Sequence, residues 1–550
     1  MDTDIPHDHA KTHHRTRPAD TASFDQDGQD LADLGHEQAL TRKFSLWSML
    51  ALTFSVLGTW ATMAQNLASG LSNGGPVSIL WGMVLVLACN VAVAVSLGEL
   101  CSAMPTTLGQ AYWISRLWPA PAGRFLSYMC AWINTFGWWA LSASQIAFMT
   151  NFMLSMKLLF DPDWEGGSIG WVQFVVYLGL TLAMTVINLV SCRHDKVLPL
   201  FNNVVGITFA GLFFVVSLAL LISVGIKPDL HFQSPSFVFG AWVNETGWSD
   251  GIVWFIGLVQ AAYGLTAYDS AIHMIEEIPN PRVNVPKVMW LSVVSGAVTG
   301  FLFIVVCLFS VQSLDDILSP MSSLPFIDLL WKSTGLDAAC VLLALFIFNG
   351  FGQGTSIVTS ASRLTWSFAR DGGLPWSRYL SRVDETWKVP ARATWAQGIV
   401  IGLIGVLYIF ANTVLEAILS VSTIALTISY AMPILTLLCV GRDQLPAGPF
   451  RLGRVIGPAA NWVSIVYCCI TTVFFFFPSL PHPAPSDMNY AIAVFGIMMC
   501  VALSFWFLKG RHTYFQATVV DIEGRSPGLR PIQGSNSSSS GIGPKRKTEV

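Results

Sequence analysis

GLVQAAYGLTAYDSAIHMIEEIPNP, residues 257–281, is an apolar run with an acid, Asp269, in its middle. An ionised side chain at the centre of a bilayer costs on the order of 2.5–3.5 kcal/mol on insertion scales, so such a residue is retained for a reason. Gly264, Thr266, Ala267 and Tyr268 surround it, small or polar residues that let a helix open and present its backbone. The run therefore predicts a membrane helix broken near its midpoint.

Composition places the rest of the chain in the same setting. Of 550 residues, 53% are hydrophobic and only 11% charged, with a mean hydropathy of +0.56. Soluble domains average about 25% charged residues, so most of this chain faces lipid. A spanning helix needs about 20 mainly apolar residues. Twelve stretches qualify: 46–70, 77–103, 125–156, 170–191, 198–225, 251–275, 288–312, 337–368, 394–411, 414–440, 459–480 and 489–509. With a cytoplasmic N-terminus, this count leaves only Lys157, Lys227 and Lys332 in outer loops. The other 27 of the 30 Lys and Arg lie inside or at inner helix ends. Gaining or losing an early span scrambles that split, so the positive-inside rule supports twelve.

The first forty-three residues lack an apolar core and do not read as a secretory signal. Residues 1–43 and 511–550 read by composition as disordered cytoplasmic tails flanking a transporter-sized domain at 44–510. His7, His9, His13 and His14 read as solvated tail rather than a metal site, and Lys545, Arg546 and Lys547 as a solubilising or lipid-touching end. All ten cysteines lie in or beside apolar segments without CxxC spacing, so neither zinc nor a disulfide framework is expected. The sequon at Asn244 falls in the longest outer loop and is a glycosylation candidate, whereas the one at Asn536 faces the cytoplasm. No cofactor and no nucleic-acid partner are expected.

The first stretch is interrupted too. It reads FSVLGTWATMAQNLASGLSNGGP, with Gly58 and Thr59 in mid-membrane. Either break alone is also explained by close packing of small residues. Their correspondence five stretches apart points to an inverted repeat with a solute site between the breaks, as in secondary carriers.

Three longer strings carry a family resemblance: GELCSAMPTTLGQAYWISRLWP at 98–119, AYDSAIHMIEEIPNPRVNVPKVM at 267–289 and TSASRLTWSFARDGGLPWSRYLSRV at 359–383. Together they resemble the amino acid–polyamine–organocation superfamily, and within it the fungal amino acid/choline transporter family, which includes choline and γ-aminobutyrate permeases. The likeness covers about 45–510. It implies an all-α membrane protein of twelve helices in the five-plus-five inverted-repeat (LeuT-like) fold. Helices one and six would be discontinuous, and a central site would open alternately to each side. The plasma membrane is the family's usual location.

Carried over by position, Gly58, Thr59 and Trp60 match the family's unwound segment of helix one, whose free N–H groups would meet a substrate carboxylate or hydroxyl. Thr266, Ala267, Tyr268 and Asp269 match the unwound segment of helix six, with Ala267 where glycine is commoner. Tyr263 matches an aromatic gate. A cationic amine needs a carboxylate or aromatic faces, and a desolvated cation–π contact contributes about 2 kcal/mol. Tyr263, Tyr268 and Trp60 offer such faces, or else pack in the core; Asp269 offers charge or a proton, or else supports the helix break. Glu99 is a second acid candidate, for proton coupling, for a gate with Arg116 or the inner loops, or for a structural ion pair. Glu276 and Glu277 suit an inner gate with Arg124 or Arg363. His273 suits a proton relay or a packing role. Ser356, Thr359 and Ser360 match hydroxyls that hold sodium in some members of the fold, although protons are the expected coupling ion.

A membrane enzyme is not expected. There is no HExxH, no GxSxG and no Cys–His pair within the spans. A nutrient sensor using the same site, and a carrier moving a precursor or product of a secondary-metabolite pathway, remain as alternatives.

Overall fold

The computed structural model describes residues 18–515 except 193, 319–323, 385–387, 410–413, 479, 484–487 and 489. The C-terminal tail from 516, its sequon and its basic cluster, and the four N-terminal histidines lie outside the described residues. Apart from one isolated bridge between Asn73 and Asn244, the described chain is helical.

A surface helix, α1 (Pro18–Asp33), comes first. A broken pair follows: α2 (Leu46–Leu57), started by a reciprocal Ser45–Ser48 capping box, and α3 (Thr59–Gln65). Then come α4 (Gly75–Ala103), α5 (Gln110–Leu117), α6 (Pro121–Phe160), α7 (Gly170–Ser191) and α8 (Val197–Ile226). A second broken pair is α9 (Asp250–Gly264) and α10 (Ser270–His273). The chain continues as α11 (Pro281–Ser310), α12 (Leu336–Arg370), α13 (Ala391–Gly405), α14 (Val414–Val440), α15 (Gly453–Phe474) and α16 (Ala491–Phe505).

Ten helices among the described residues are long and apolar enough to cross a membrane. Two expected spans fall outside that measure. The 40-residue α6 carries too many buried polar side chains, among them Asn134, Gln145 and Thr150, while α9 stops after 15 residues at the break. Exposure runs opposite to that of a soluble protein. Ile207, Phe348, Trp171 and Leu403 are 60–75% exposed on the outer surface. Asp269, Arg363, Asn202 and Gln353 are buried at its centre. Such an inside-out distribution is stable only with hydrocarbon outside.

Packing sets the frame. α11 lies along α4, α14 along α6, α12 along α8, and α13 along α7. The broken pair α2–α3 rests on α11, and α9 rests on α4. On α11, Gly296 and Gly300 form a smooth rail. A methyl group on either would come within 2.5 or 2.8 Å of Thr59.

The expected disordered tail over 1–43 does not hold for its described part. Besides forming α1, the segment packs across one end of the helix bundle. Leu31 and Leu40, with Phe44 just beyond the segment, are each 3% exposed. The segment's carboxylates meet the same end: Asp30 pairs with Arg282, and Asp27 accepts from Asn280 N–H and from Arg42. Average composition does not register a segment that docks through so few groups.

Candidate functional site

Two helix breaks face each other at the centre. At the first, Gly58 adopts a left-handed backbone (φ +56°) between α2 and α3. Glycine is needed for space as well, because a Cβ there would stand 1.9 Å from Gln353 Nε2. At the second, α9 ends at Gly264 and the chain is irregular up to Ser270, with Ala267 at φ +67°. Thr59 Oγ1 donates to the freed Gly264 carbonyl at 2.6 Å, tying one break to the other. This bond answers a carbonyl that the broken helix leaves without its usual partner.

Asp269 lies at the base of the second break and is wholly buried. Its carboxyl group is surrounded by the protein's own polar groups. Tyr430 OH on α14 reaches Oδ1 at 2.6 Å. Gln110 Nε2 on α5 (2.9 Å), Trp138 Nε1 on α6 (3.3 Å) and His273 Nε2 on α10 (3.1 Å) meet Oδ2. The Tyr430 oxygen also accepts the Ala267 N–H at 3.2 Å, linking the left-handed turn to the acid. In this conformation Asp269 is held by the fold rather than turned to a solute.

The other sequence-derived candidates divide. Tyr263 stands one residue before the break, and its hydroxyl shares a 2.8 Å hydrogen bond with Ser144 of α6. Thr266 and Ala267 form the irregular stretch itself. Trp60 turns away into a ring cluster with Phe209, Phe213, Phe303 and Phe346. Tyr268 packs on Tyr430, ring centroids 5.2 Å apart. Trp60 and Tyr268 thus support the breaks from behind. All eight candidates from Gly58 to Asp269 are buried.

The end of the bundle that the N-terminal segment covers carries the ion pairs. Glu277 Oε1 accepts from Arg363 Nε at 2.8 Å, with both side chains 1% exposed, so Arg363 is the partner anticipated. Arg124 is not. It lies over Trp506 and donates to the Arg511 carbonyl instead, in the first turn of α6. Glu276 Oε1 accepts from Arg370 at 2.8 Å and from the Thr107 hydroxyl at 3.1 Å. Glu99 does not meet Arg116, which is exposed. Arg442 Nη2 contacts both its oxygens (2.8 and 2.7 Å) and Leu452 N–H caps it, so it reads as a structural pair.

The N-terminal strap covers this mouth. Ala39 N–H donates to Glu276 Oε2, and the N–H groups of Lys43 and Phe44 both donate to the Glu277 carbonyl (3.0 and 2.9 Å). Tyr112 OH donates to the Leu34 carbonyl. His36 sits 3.7 Å from Asp371, just past the end of α12. Burial is the main influence on both. It holds His36 well below its usual value and pushes Asp371 up to about 7 against the pull of Arg370, so the contact is not a standing ion pair.

The candidate sodium hydroxyls are committed elsewhere. Ser356 donates to Asn202 Oδ1, Ser360 to the Ser356 carbonyl, and Thr359 to the Thr355 carbonyl while accepting from Asn188. At the opposite end of the bundle, Asn244 donates to the Trp248 carbonyl and to Asp250. With Trp242 it holds the Asp250 carboxyl below its usual range.

Sequence reasoning missed most of the polar shell. Gln145 donates to Gln353 Oε1 and to the Gly350 carbonyl beside the first break. The signal that marked Asp269, a polar residue in an apolar stretch, marks both glutamines as well. Nothing local marks Tyr430 or Trp138, which reach the site through folding alone.

Taken together, these features define a multi-pass helical membrane protein with two opposed helix breaks around a buried acid. The chain belongs to the amino acid permease family, which it matches over residues 44–500. It is 31% identical to a choline transporter of Saccharomyces cerevisiae, over 89% of this chain and 85% of that one. It is 26% identical to a GABA-specific permease of the same yeast (91% and 87%) and 27% identical to an uncharacterized amino-acid permease of Schizosaccharomyces pombe (90% of each). These relatives are named as permeases and transporters, not enzymes, as expected.

Proposed function

We propose that the protein is a secondary active transporter that moves a small nitrogenous solute, such as an amino acid, GABA or choline, by alternating access driven by protons. The observation that carries this reading is the pair of opposed breaks joined by the Thr59–Gly264 bond. Two interrupted helices meeting in the middle of a bilayer form the site type of many carriers. The packing supports a five-plus-five repeat within twelve spans. Exchanging each of the first five spans with its counterpart five later turns the α6–α14 contact into α12–α8. It likewise turns the contact of α2–α3 with α11 into that of α9 with α4, and it maps α4–α11 and α7–α13 onto themselves.

In this reading Gly58, Thr59, Tyr263, Thr266 and Ala267 line the solute path, with Trp60 and Tyr268 packed behind them. Glu276 and Glu277, with Arg370 and Arg363, form the inner gate. Asp269 is the coupling acid, and Glu99 fastens α4 to the inner loop before α15. The commitments of Ser356, Thr359 and Ser360 favour protons over sodium. Both termini are cytoplasmic and the plasma membrane is the site of action.

Radiolabelled uptake in permease-deficient yeast tests the reading with choline, GABA, proline, lysine and a polyamine. It is run at two pH values, with and without sodium. Saturable uptake of one compound, larger at acid pH and indifferent to sodium, is expected. No uptake despite confirmed surface expression refutes nutrient import and leaves a pathway metabolite or sensing.

A further inference from the structure

The pairing of Asp269 with His273 constrains where protons sit. His273 Nδ1 lies 2.9 Å from the Thr107 carbonyl, and Nε2 lies 3.1 Å from Asp269 Oδ2. A peptide carbonyl only accepts, so Nδ1 must carry a hydrogen. Nε2 then faces a carboxylate oxygen, and one proton must lie between them. Either the imidazole is doubly protonated beside an ionised acid, or a neutral imidazole accepts from a protonated acid. The two arrangements hold the same proton. Without it, two lone pairs confront each other at 3.1 Å in a site from which water is excluded, and the arrangement must break.

We propose that Asp269 and His273 form a single-proton binding site, and that Thr107 links its occupancy to the inner mouth. This deepens the carrier reading above and rests on it.

The link lies in one residue. The Thr107 carbonyl accepts from His273, while its hydroxyl donates to Glu276 Oε1, the same oxygen that binds Arg370. Glu276 Oε2 in turn accepts from Ala39 of the strap. Losing the proton leaves the Asp269–His273 contact repulsive and frees the imidazole to leave Thr107. The shift acts on the anchor of the gate acid. On the other side, Tyr430 connects Asp269 to the Ala267 N–H, so the same event reaches the irregular stretch of the solute path. One proton thus addresses both the path and the inner gate.

Few other charges compete. Tyr430 on α14 and Tyr268 beside it are the titratable groups turned toward the pair, and Gln110 and Trp138 add neutral donors. Behind α10, α2 contributes the Thr53 hydroxyl, which accepts from Ser270. From α12 come Arg363 and Arg370, each engaged by Glu277 or Glu276. From α11, Arg282 turns to the Ser102 and Ala103 carbonyls and Lys287 is exposed. On α5, Tyr112 is bonded to the strap and Arg116 is exposed.

Two measurements on the full-length protein in lipid test this. The first is nitrogen-15 NMR of histidine-labelled protein, with His273 identified by its loss in His273→Gln. The expected signature in this conformation is a protonated Nδ1 with Nε2 either protonated or accepting a strong hydrogen bond, altered in Asp269→Asn. A free Nε2 lone pair in the wild type overturns the site. It does so even where Asp269→Asn fails to reach the membrane.

The second is proteoliposome uptake of choline and GABA under an acid-outside gradient, compared with counterflow at equal pH. Asp269→Asn is expected to lose at least tenfold in gradient-driven accumulation while retaining measurable counterflow. Thr107→Val keeps the carbonyl and loses the hydroxyl. It is expected to lose at least fivefold in accumulation with the His273 signature unchanged. Full accumulation in Asp269→Asn overturns the coupling, and full accumulation in Thr107→Val overturns the link. Absence of wild-type uptake and counterflow with the NMR signature intact refutes the carrier reading and, with it, the coupling, while the proton site stands.

Discussion

Ala267 holds a left-handed backbone (φ +67°) that costs an L-residue with a side chain about 1–2 kcal/mol. Ala267→Gly relieves that strain and gives back part of the gain as unfolded-state entropy, so it is expected to stabilise the protein by about 0.5–1 kcal/mol. Thermal unfolding in lipid nanodiscs checks this, and a lower midpoint speaks against strain at the turn. Thr59 offers a second residue-scale test. Thr59→Val keeps the shape but leaves the buried Gly264 carbonyl unpaired, a cost of about 1–3 kcal/mol, whereas Thr59→Ser keeps the bond. Uptake and melting should fall together in the valine variant and recover in the serine one. The sequence exposed Asp269 and Gly58 because each breaks a local rule of membrane helices, and Ala267 only through the family resemblance, which has glycine there. It could not expose Tyr430 or Trp138, since a tyrosine in an apolar helix satisfies every local rule until a distant carboxylate arrives beside it.

Among elements, the inner ends of α9–α10 and α12 are joined by the buried Glu277–Arg363 pair. Removing one partner strands a charge and is expected to cost about 3–5 kcal/mol, while the double replacement Glu277→Leu with Arg363→Met is far milder. A double-mutant cycle on thermal stability measures the difference. Additive losses would mean the two groups do not depend on each other. Both helix breaks were legible from glycine and small polar residues in otherwise apolar runs. The strap was not. Its docking rests on a handful of side chains and on peptide N–H groups, and average composition over forty residues hides both.

The whole molecule was legible where lipid dictates it: apolar runs of membrane length in an all-helical chain. Its response to pH was not, because that depends on which acid folding buries. Asp371 is 5% exposed at the inner face, where burial pushes its carboxyl from 3.8 up to about 7. The stability it contributes is fully present below pH 3.8 and is lost as pH rises through about 7. Asp371→Asn removes that titration. Its stability relative to wild type is therefore expected to improve by about 1–3 kcal/mol between pH 5 and 7 and to level off above 8. Melting curves across that range check the slope, and a constant gap would place the Asp371 carboxyl in water.

The contacts at Ala39, Lys43 and Phe44 are made by peptide N–H groups. Every amino acid except proline supplies that group, so these three hydrogen bonds do not depend on which side chains stand at 39, 43 and 44. The segment can drift in sequence across generations and still close the same mouth, provided its register holds. A proline at 39, 43 or 44, or a single deleted residue between them, breaks it where an ordinary substitution at the same position keeps the hydrogen bond.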